Sequence, residues 1–141
     1  ERDLIRLRTN YRKDPPEDVY LYRTTAPLEN GRRLFMDYVH KINSLAKEPE
    51  FYNTLTTNCT TSILTHTRVN PDSLPLSWKV LVSGYAPEYA YEGGKLDTSI
   101  PFAVLRERSR INPAAQSADK APDFSQRIRA SLPAPRRLQS N

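Results

Sequence analysis

Apolar and polar positions alternate in part along Leu4-Ile5-Arg6-Leu7-Arg8-Thr9-Asn10 and again along Val19-Tyr20-Leu21-Tyr22-Arg23-Thr24. Joined by the polar Lys13-Asp14-Pro15-Pro16-Glu17, these two runs of strand formers predict a short antiparallel strand pair. Two strands alone are marginal in water, so the pattern predicts further strands upstream of Glu1. From about Leu28 to Lys47 the period becomes helical, with Leu34, Phe35, Tyr38, Ile42 and Leu45 recurring at three- and four-residue steps and Pro49 marking the end. At about 100° per residue those positions share one face, and His40 projects almost opposite it, toward solvent.

Beyond that helix, Glu48 to Thr57 delivers the chain to the stretch Tyr52-Asn53-Thr54-Leu55-Thr56-Thr57-Asn58-Cys59-Thr60-Thr61, with Phe51, Tyr52 and Leu55 as anchors. Ile63, Leu64 and Val69 follow among helix-compatible neighbours, and Thr57 or Asn58 is a natural N-cap. Cys59 is therefore expected in the first turn of a helix. Val69 to Pro75 reads as a loop, and a further helix is expected from about Ser77 to Ser83. A short helical turn over Pro87 to Tyr91 is stopped by Gly93-Gly94. Pro101 suits the start of another helix running to about Arg108. From Asn112 onward Ala, Pro, Ser and Arg dominate, and only Asp123 to Leu132 has an amphipathic pattern, through Phe124, Ile128 and Leu132.

Composition narrows the functional classes. The 141 residues contain 12 prolines, 4 glycines, 2 histidines and a single cysteine, which excludes an internal disulfide. The Cys/His spacing of a zinc site is absent, as are internal repeats, a phosphate-cradling glycine loop and a nucleophilic-serine elbow. Of the net charge of +5, residues 113–141 carry +3, from Lys120, Arg127, Arg129, Arg136 and Arg137 against Asp119 and Asp123. A near-neutral body with a basic tail argues against a nucleic-acid domain and points the tail at solvent, an acidic partner or anionic lipid. The organisation expected is a cysteine domain over 1–112 and a basic, Ala/Pro-rich, partly disordered tail over 113–141.

Candidate chemistry centres on Cys59. At a helix start the unpaired N–H groups and the macrodipole favour thiolate over thiol, and the same N–H groups suit the oxyanion of an acyl intermediate. Against this stands the ordinary use of a lone cysteine as a small core hydrophobe. A thiolate enzyme also needs a base, and His66, seven residues on, would lie about 10 Å along the same helix. With His40 facing away, either Cys59 is no nucleophile or its base lies in a segment outside this chain. The start at Glu1, without methionine, fits an excised fragment.

Glu1-Arg2-Asp3-Leu4-Ile5, Leu7-Arg8-Thr9-Asn10-Tyr11, Asp18-Val19-Tyr20-Leu21-Tyr22 and the Tyr52 to Thr61 stretch together resemble the N-terminal periplasmic domain of Lnb-type bacterial lipoprotein N-acyltransferases. The similarity continues more weakly through Gly84-Tyr85, Leu96-Asp97-Thr98-Ser99, Arg108-Ser109-Arg110-Ile111-Asn112 and Ala121-Pro122-Asp123-Phe124-Ser125. The Asn-Cys arrangement is in turn similar to the permuted papain-like fold of NlpC-type cell-wall peptidases and lecithin:retinol acyltransferase. In that order a histidine on the sheet precedes the cysteine, whereas here no histidine precedes the helix bearing His40. The resemblance implies an α+β fold: a fragment of a permuted papain-like cysteine domain, a short antiparallel strand pair followed by several helices, with the upstream strands and the histidine missing and the isolated piece inactive.

The implied function is thiol-dependent acyl transfer at the periplasmic face of a bacterial membrane, without cofactor or metal. Cys59 is the expected nucleophile, with Asn58, Thr60 and Tyr52 supporting the site. The expected substrate is a lipoprotein or phospholipid acyl group, the basic tail is the expected membrane contact, and no nucleic acid is involved. A papain-like peptide or amide hydrolase and a non-catalytic lipoprotein- or membrane-binding module are the alternatives.

Overall fold

The computed structural model describes residues 1–51 and 59–135. Along them run α1 (Arg2–Arg6), a π-helical turn (Leu7–Tyr11), α2 (Leu28–Lys47), α3 (Cys59–Thr67), α4 (Trp78–Leu81), a 3-10 turn (Ser83–Tyr85), α5 (Ala86–Glu92), α6 (Phe102–Arg108), α7 (Asn112–Ser117) and α8 (Phe124–Ala130). They form two compact units, one from Glu1–Thr25 with the chain from Leu96 onward, the other from Ala26–Lys95.

The expectation of an α+β fold, with an antiparallel strand pair opening a fragment of a permuted papain-like domain, is overturned. The described residues are 57% helical, and among them there is no strand or sheet. The first predicted strand is α1 continued into the π-helical turn. Its apolar residues fit a helical period as well as an alternating one, since Ile5 packs on the core and Thr9, four residues on, is buried and donates its Oγ1 hydrogen to the Ile5 carbonyl at 2.9 Å. Leu4, Leu7 and Tyr11 fall on the outer side and are exposed. Asp3 in the first turn and Arg6 in the last complement the helix dipole. Short apolar runs are ambiguous between strand and helix, and here tertiary packing selects the helix. Without the strand pair, the case for a sheet continuing upstream of Glu1 loses its basis.

The second predicted strand is extended but pairs with a distant segment. Leu21 N–H donates to Ser109 O at 2.8 Å and Ile111 N–H to Val19 O at 2.9 Å, leaving a single bridge between Tyr20 and Arg110. Asn112 extends the pairing with its side chain, accepting from Val19 N–H and donating to Glu17 O, both at 2.8 Å. The core of this unit is Ile111, Ala115, Ala118, Phe124, Ile128 and Leu132, with Ile5, Val19, Leu21, Ala114 and Ala121 packed against it. The amphipathic pattern of Phe124, Ile128 and Leu132 does form a helix and its exit, with all three side chains buried.

In the second unit the long helical period becomes α2 over the expected range. Ser77 caps α4, its Oγ accepting from Lys79 N–H at 3.4 Å, and Val80 on that helix is buried. At the end of α5, Gly94 takes φ +69°, a left-handed turn that side chains resist, and so stops the helix after Gly93. Lys95 then binds the Asp72 carboxylate at 2.7 Å and also donates to the Asp72 carbonyl, while Asn30 donates to the same carboxylate at 2.9 Å. These bonds, that of Lys95 foremost, hold the Asp72 carboxyl below the usual carboxylate range. Among the described residues of this unit the buried set is Val80 with the polar Thr61, His66 and Asn70. So little apolar burial leaves much hydrocarbon facing outward.

Candidate functional site

Cys59 opens the described part of α3 (Cys59–Thr67) and is free and exposed. Its Sγ lies 3.8 Å from Thr60 Oγ1, and the Thr60 side chain is half-buried beside it. Tyr52 and Asn58, expected to line the site and to cap the helix, lie outside the described residues, as does Thr57.

The two histidines sit on different helices. His40 is exposed on α2. His66 is buried at the far end of α3, seven residues and so about 10 Å of helical rise from Cys59. Its Nδ1 is 2.7 Å from Asp37 Oδ2 on α2, and its ring sits 4.5 Å from that of Tyr38, tilted by 50°. The pair joins α2 to α3 and orients the imidazole. Asp37 was missed by sequence reasoning, although an acid one residue from Tyr38 and three from Leu34 on the packed side of an amphipathic helix is a signal that a buried polar partner is needed.

A second polar cluster stands in the other unit, on the Leu-Arg-Thr-Asn-Tyr run. Arg6 Nε and Asn10 Nδ2 donate to Asp119 Oδ1 at 2.8 and 2.6 Å, and Tyr11 Oη donates to Oδ2 at 3.1 Å. The Arg6 hydrogen bond and then that of Asn10 drive the Asp119 carboxyl far below the usual range. Gln116 Nε2 also donates to Thr9 O at 3.0 Å. With every partner satisfied, the cluster is a clasp holding the π-helical turn to α7. The weaker stretch Arg108 to Asn112 is likewise structural, pairing with the backbone of residues 17–21.

Among the described residues no group of three or more His, Cys, Asp or Glu side chains is placed to hold a metal ion. No helix among them is long and apolar enough to cross a membrane.

The family model of the Lnb N-terminal periplasmic domain matches residues 1–84, which is more than half of the chain and includes Cys59, Asp37 and His66. No curated protein and no solved structure matches. The chain belongs to the Lnb N-terminal periplasmic domain family, and its setting is periplasmic and lipoprotein-related.

Proposed function

We propose that this chain carries the reactive thiol of a lipoprotein acyltransferase. The observation that supports it is the exposure of Cys59, on α3 and within the matched segment. As thiolate, Sγ attacks the ester carbonyl of a phospholipid or diacylglyceryl lipoprotein. The C–S bond forms, the ester C–O bond breaks, and the alcohol leaves with a proton. The N–H groups of the first turn of α3 hold the oxyanion, Asn58 caps the helix, Thr60 supports the thiol and Tyr52 lines the acyl path. The terminal amine of a lipoprotein then attacks the thioester, giving its proton to the base, forming an amide and releasing the thiolate, and water in its place gives hydrolysis. His66, about 10 Å of helical rise from Cys59 along α3, is too far to take the thiol proton directly, so the proposed base is another group.

A second reading, a non-catalytic module that binds lipoprotein or membrane, is favoured by the separation of the thiol from His66 along α3. One experiment decides. The protein is incubated with a phospholipid carrying an isotope-labelled acyl chain, and its peptides are analysed by mass spectrometry. Acyl transfer predicts the label as a thioester on Cys59, lost with hydroxylamine and absent from Cys59→Ala. Label on another residue, or lipid turnover that Cys59→Ala leaves unchanged, overturns it. Cleavage of amide substrates without thioester from lipid assigns the thiol to a hydrolase instead.

A further inference from the structure

From Glu17 to Tyr22 the backbone bonds to one side only. Glu17 O accepts from Asn112 Nδ2, Val19 N–H donates to Asn112 Oδ1, Ile111 N–H donates to Val19 O and Leu21 N–H donates to Ser109 O, all at 2.8 to 2.9 Å. In an extended chain the N–H and C=O of one residue point to one edge and those of the next residue to the other. Glu17, Val19 and Leu21 therefore face the 109–112 segment, while Asp18, Tyr20 and Tyr22 turn their N–H and C=O groups away from it. Among the described residues no group hydrogen-bonds the backbone of those three.

The side chains alternate in the same way. Val19 and Leu21 pack on the core, and Tyr20 and Tyr22 stand on the opposite face with ring centroids 6.4 Å apart and planes 16° apart. Phe102 of α6 continues the row, 6.5 Å from Tyr22. The row braces the segment in its extended form and offers aromatic surface to side chains that line up beside it. From Asp18 to Tyr22 there is no lysine, proline or glycine, so the means by which an open edge is commonly guarded or bent away are absent from the run.

Another extended backbone is what matches donors and acceptors at this spacing, and charge selects its kind. Glu17 is bound by both Arg8 and Arg12, and Asp18 by Arg110, each of these arginines being half-exposed. Arg106 lies over the Tyr20 ring, 5.1 Å from its centroid, and has no carboxylate partner among the described residues. The edge is thus bordered by more arginine than acid. Residues 26–95 hold as many Asp and Glu as Lys and Arg, so the net charge of +5 resides wholly in the unit that carries this edge. A second copy would bring the same excess against it. An edge about 14 Å long is also short for joining two folded copies, whose stable interfaces bury about 1,000 Å² or more.

We infer that the Asp18–Tyr22 edge binds an extended acidic peptide segment by strand addition. The peptide backbone pairs with Tyr20 and Tyr22, and its carboxylates are drawn by the surrounding arginines. The inference does not require Cys59 to be reactive.

The probe is a capped peptide alternating glutamate with valine over about eight residues, titrated into the protein at low salt while amide exchange is followed residue by residue by NMR. Binding is expected to slow exchange at the Tyr20 and Tyr22 amides by about tenfold or more. The lysine–valine counterpart should bind about tenfold more weakly, a difference that shrinks at high salt. A fully N-methylated form of the acidic peptide, which has no backbone donors, should lose about tenfold or more in affinity. Tyr22→Pro removes one donor from the open edge, where proline is tolerated because the fold leaves that N–H unused, and should cost about tenfold in affinity. Tyr22→Phe keeps the ring and the N–H and should bind as the parent does. Circular dichroism checks that both variants stay folded, and the methylated peptide tests the pairing with the parent protein. Cys59→Ala should also bind as the parent does, which separates this inference from the acyl-transfer proposal. Absence of binding, binding that leaves the Tyr20 and Tyr22 amides unprotected, or equal affinity for the acidic and basic peptides would each overturn it. So would protection of those amides in the free protein, whether by a second copy or by the chain itself.

Discussion

Asn112 shows what a motif residue does when its chemistry is spent on the backbone. Its Oδ1 accepts from Val19 N–H and its Nδ2 donates to Glu17 O, so one amide satisfies a donor and an acceptor that a neighbouring strand would otherwise have met. Asn112→Ala leaves a partly buried N–H without its partner and is expected to cost about 1–3 kcal/mol, measured by urea unfolding. Asn112→Asp keeps the acceptor for Val19 N–H but sets a carboxylate oxygen against Glu17 O, and at neutral pH should cost at least as much as the alanine variant. If both variants unfold with the parent's midpoint, the pairing contributes nothing. That Cys59 lies on a helix was legible from sequence, because a capping run followed by apolar spacing is a local signal. Asp37 signals locally only that a polar partner is needed, and that partner, His66, lies 29 residues away, where no periodicity identifies it.

At the level of elements, α2 and α6 were legible because a proline fixes each start or end and a helical period fills the interval. The opening run was not, since its apolar residues satisfy two periods at once. The two periods make different demands on Leu7. In a half-buried strand Ile5, Leu7 and Thr9 share the inner face, whereas in α1 and the π-helical turn Ile5 and Thr9 point inward and Leu7 is 57% exposed. Ile5→Ser is therefore expected to lower stability by about 1–2 kcal/mol, as a half-buried aliphatic side chain leaving the core should, while Leu7→Ser stays within about 0.5 kcal/mol of the parent. Equal losses at both positions would restore the strand. In α8 the full burial of Ile128 sets a larger expectation, a loss of about 2–5 kcal/mol for Ile128→Ala by the same measurement.

Over the whole molecule, the chain leaves its first unit at Thr25 and re-enters it at Leu96, so contacts such as Ile5 with the core formed around Ile128 are remote in sequence and carry no periodic signal. Much of what ties the two ends of that unit is ionic: Arg6 with Asp119, Arg129 with Glu1. Asp119 and Glu1 are both held below their ordinary values, chiefly by hydrogen bonds from Arg6 and Arg129, and Asp72 in the other unit is lowered by Lys95. The unfolded chain therefore binds protons more readily than the folded one in the acid range. For such groups the stabilisation is complete above the unfolded carboxylate values, about pH 4, and is lost as pH falls through the lower folded values. Lys79, raised by its bond to Glu92, runs the other way: its contribution is present below about pH 10 and is lost above it. Stability should thus be level across neutral pH and fall below about pH 4, followed as the thermal midpoint by circular dichroism. Asp119→Asn cannot ionise, so it should lower the midpoint at neutral pH and flatten the acid fall. A variant that is less stable yet falls as steeply as the parent between neutrality and acid would show that the clasp acts through shape and not through charge.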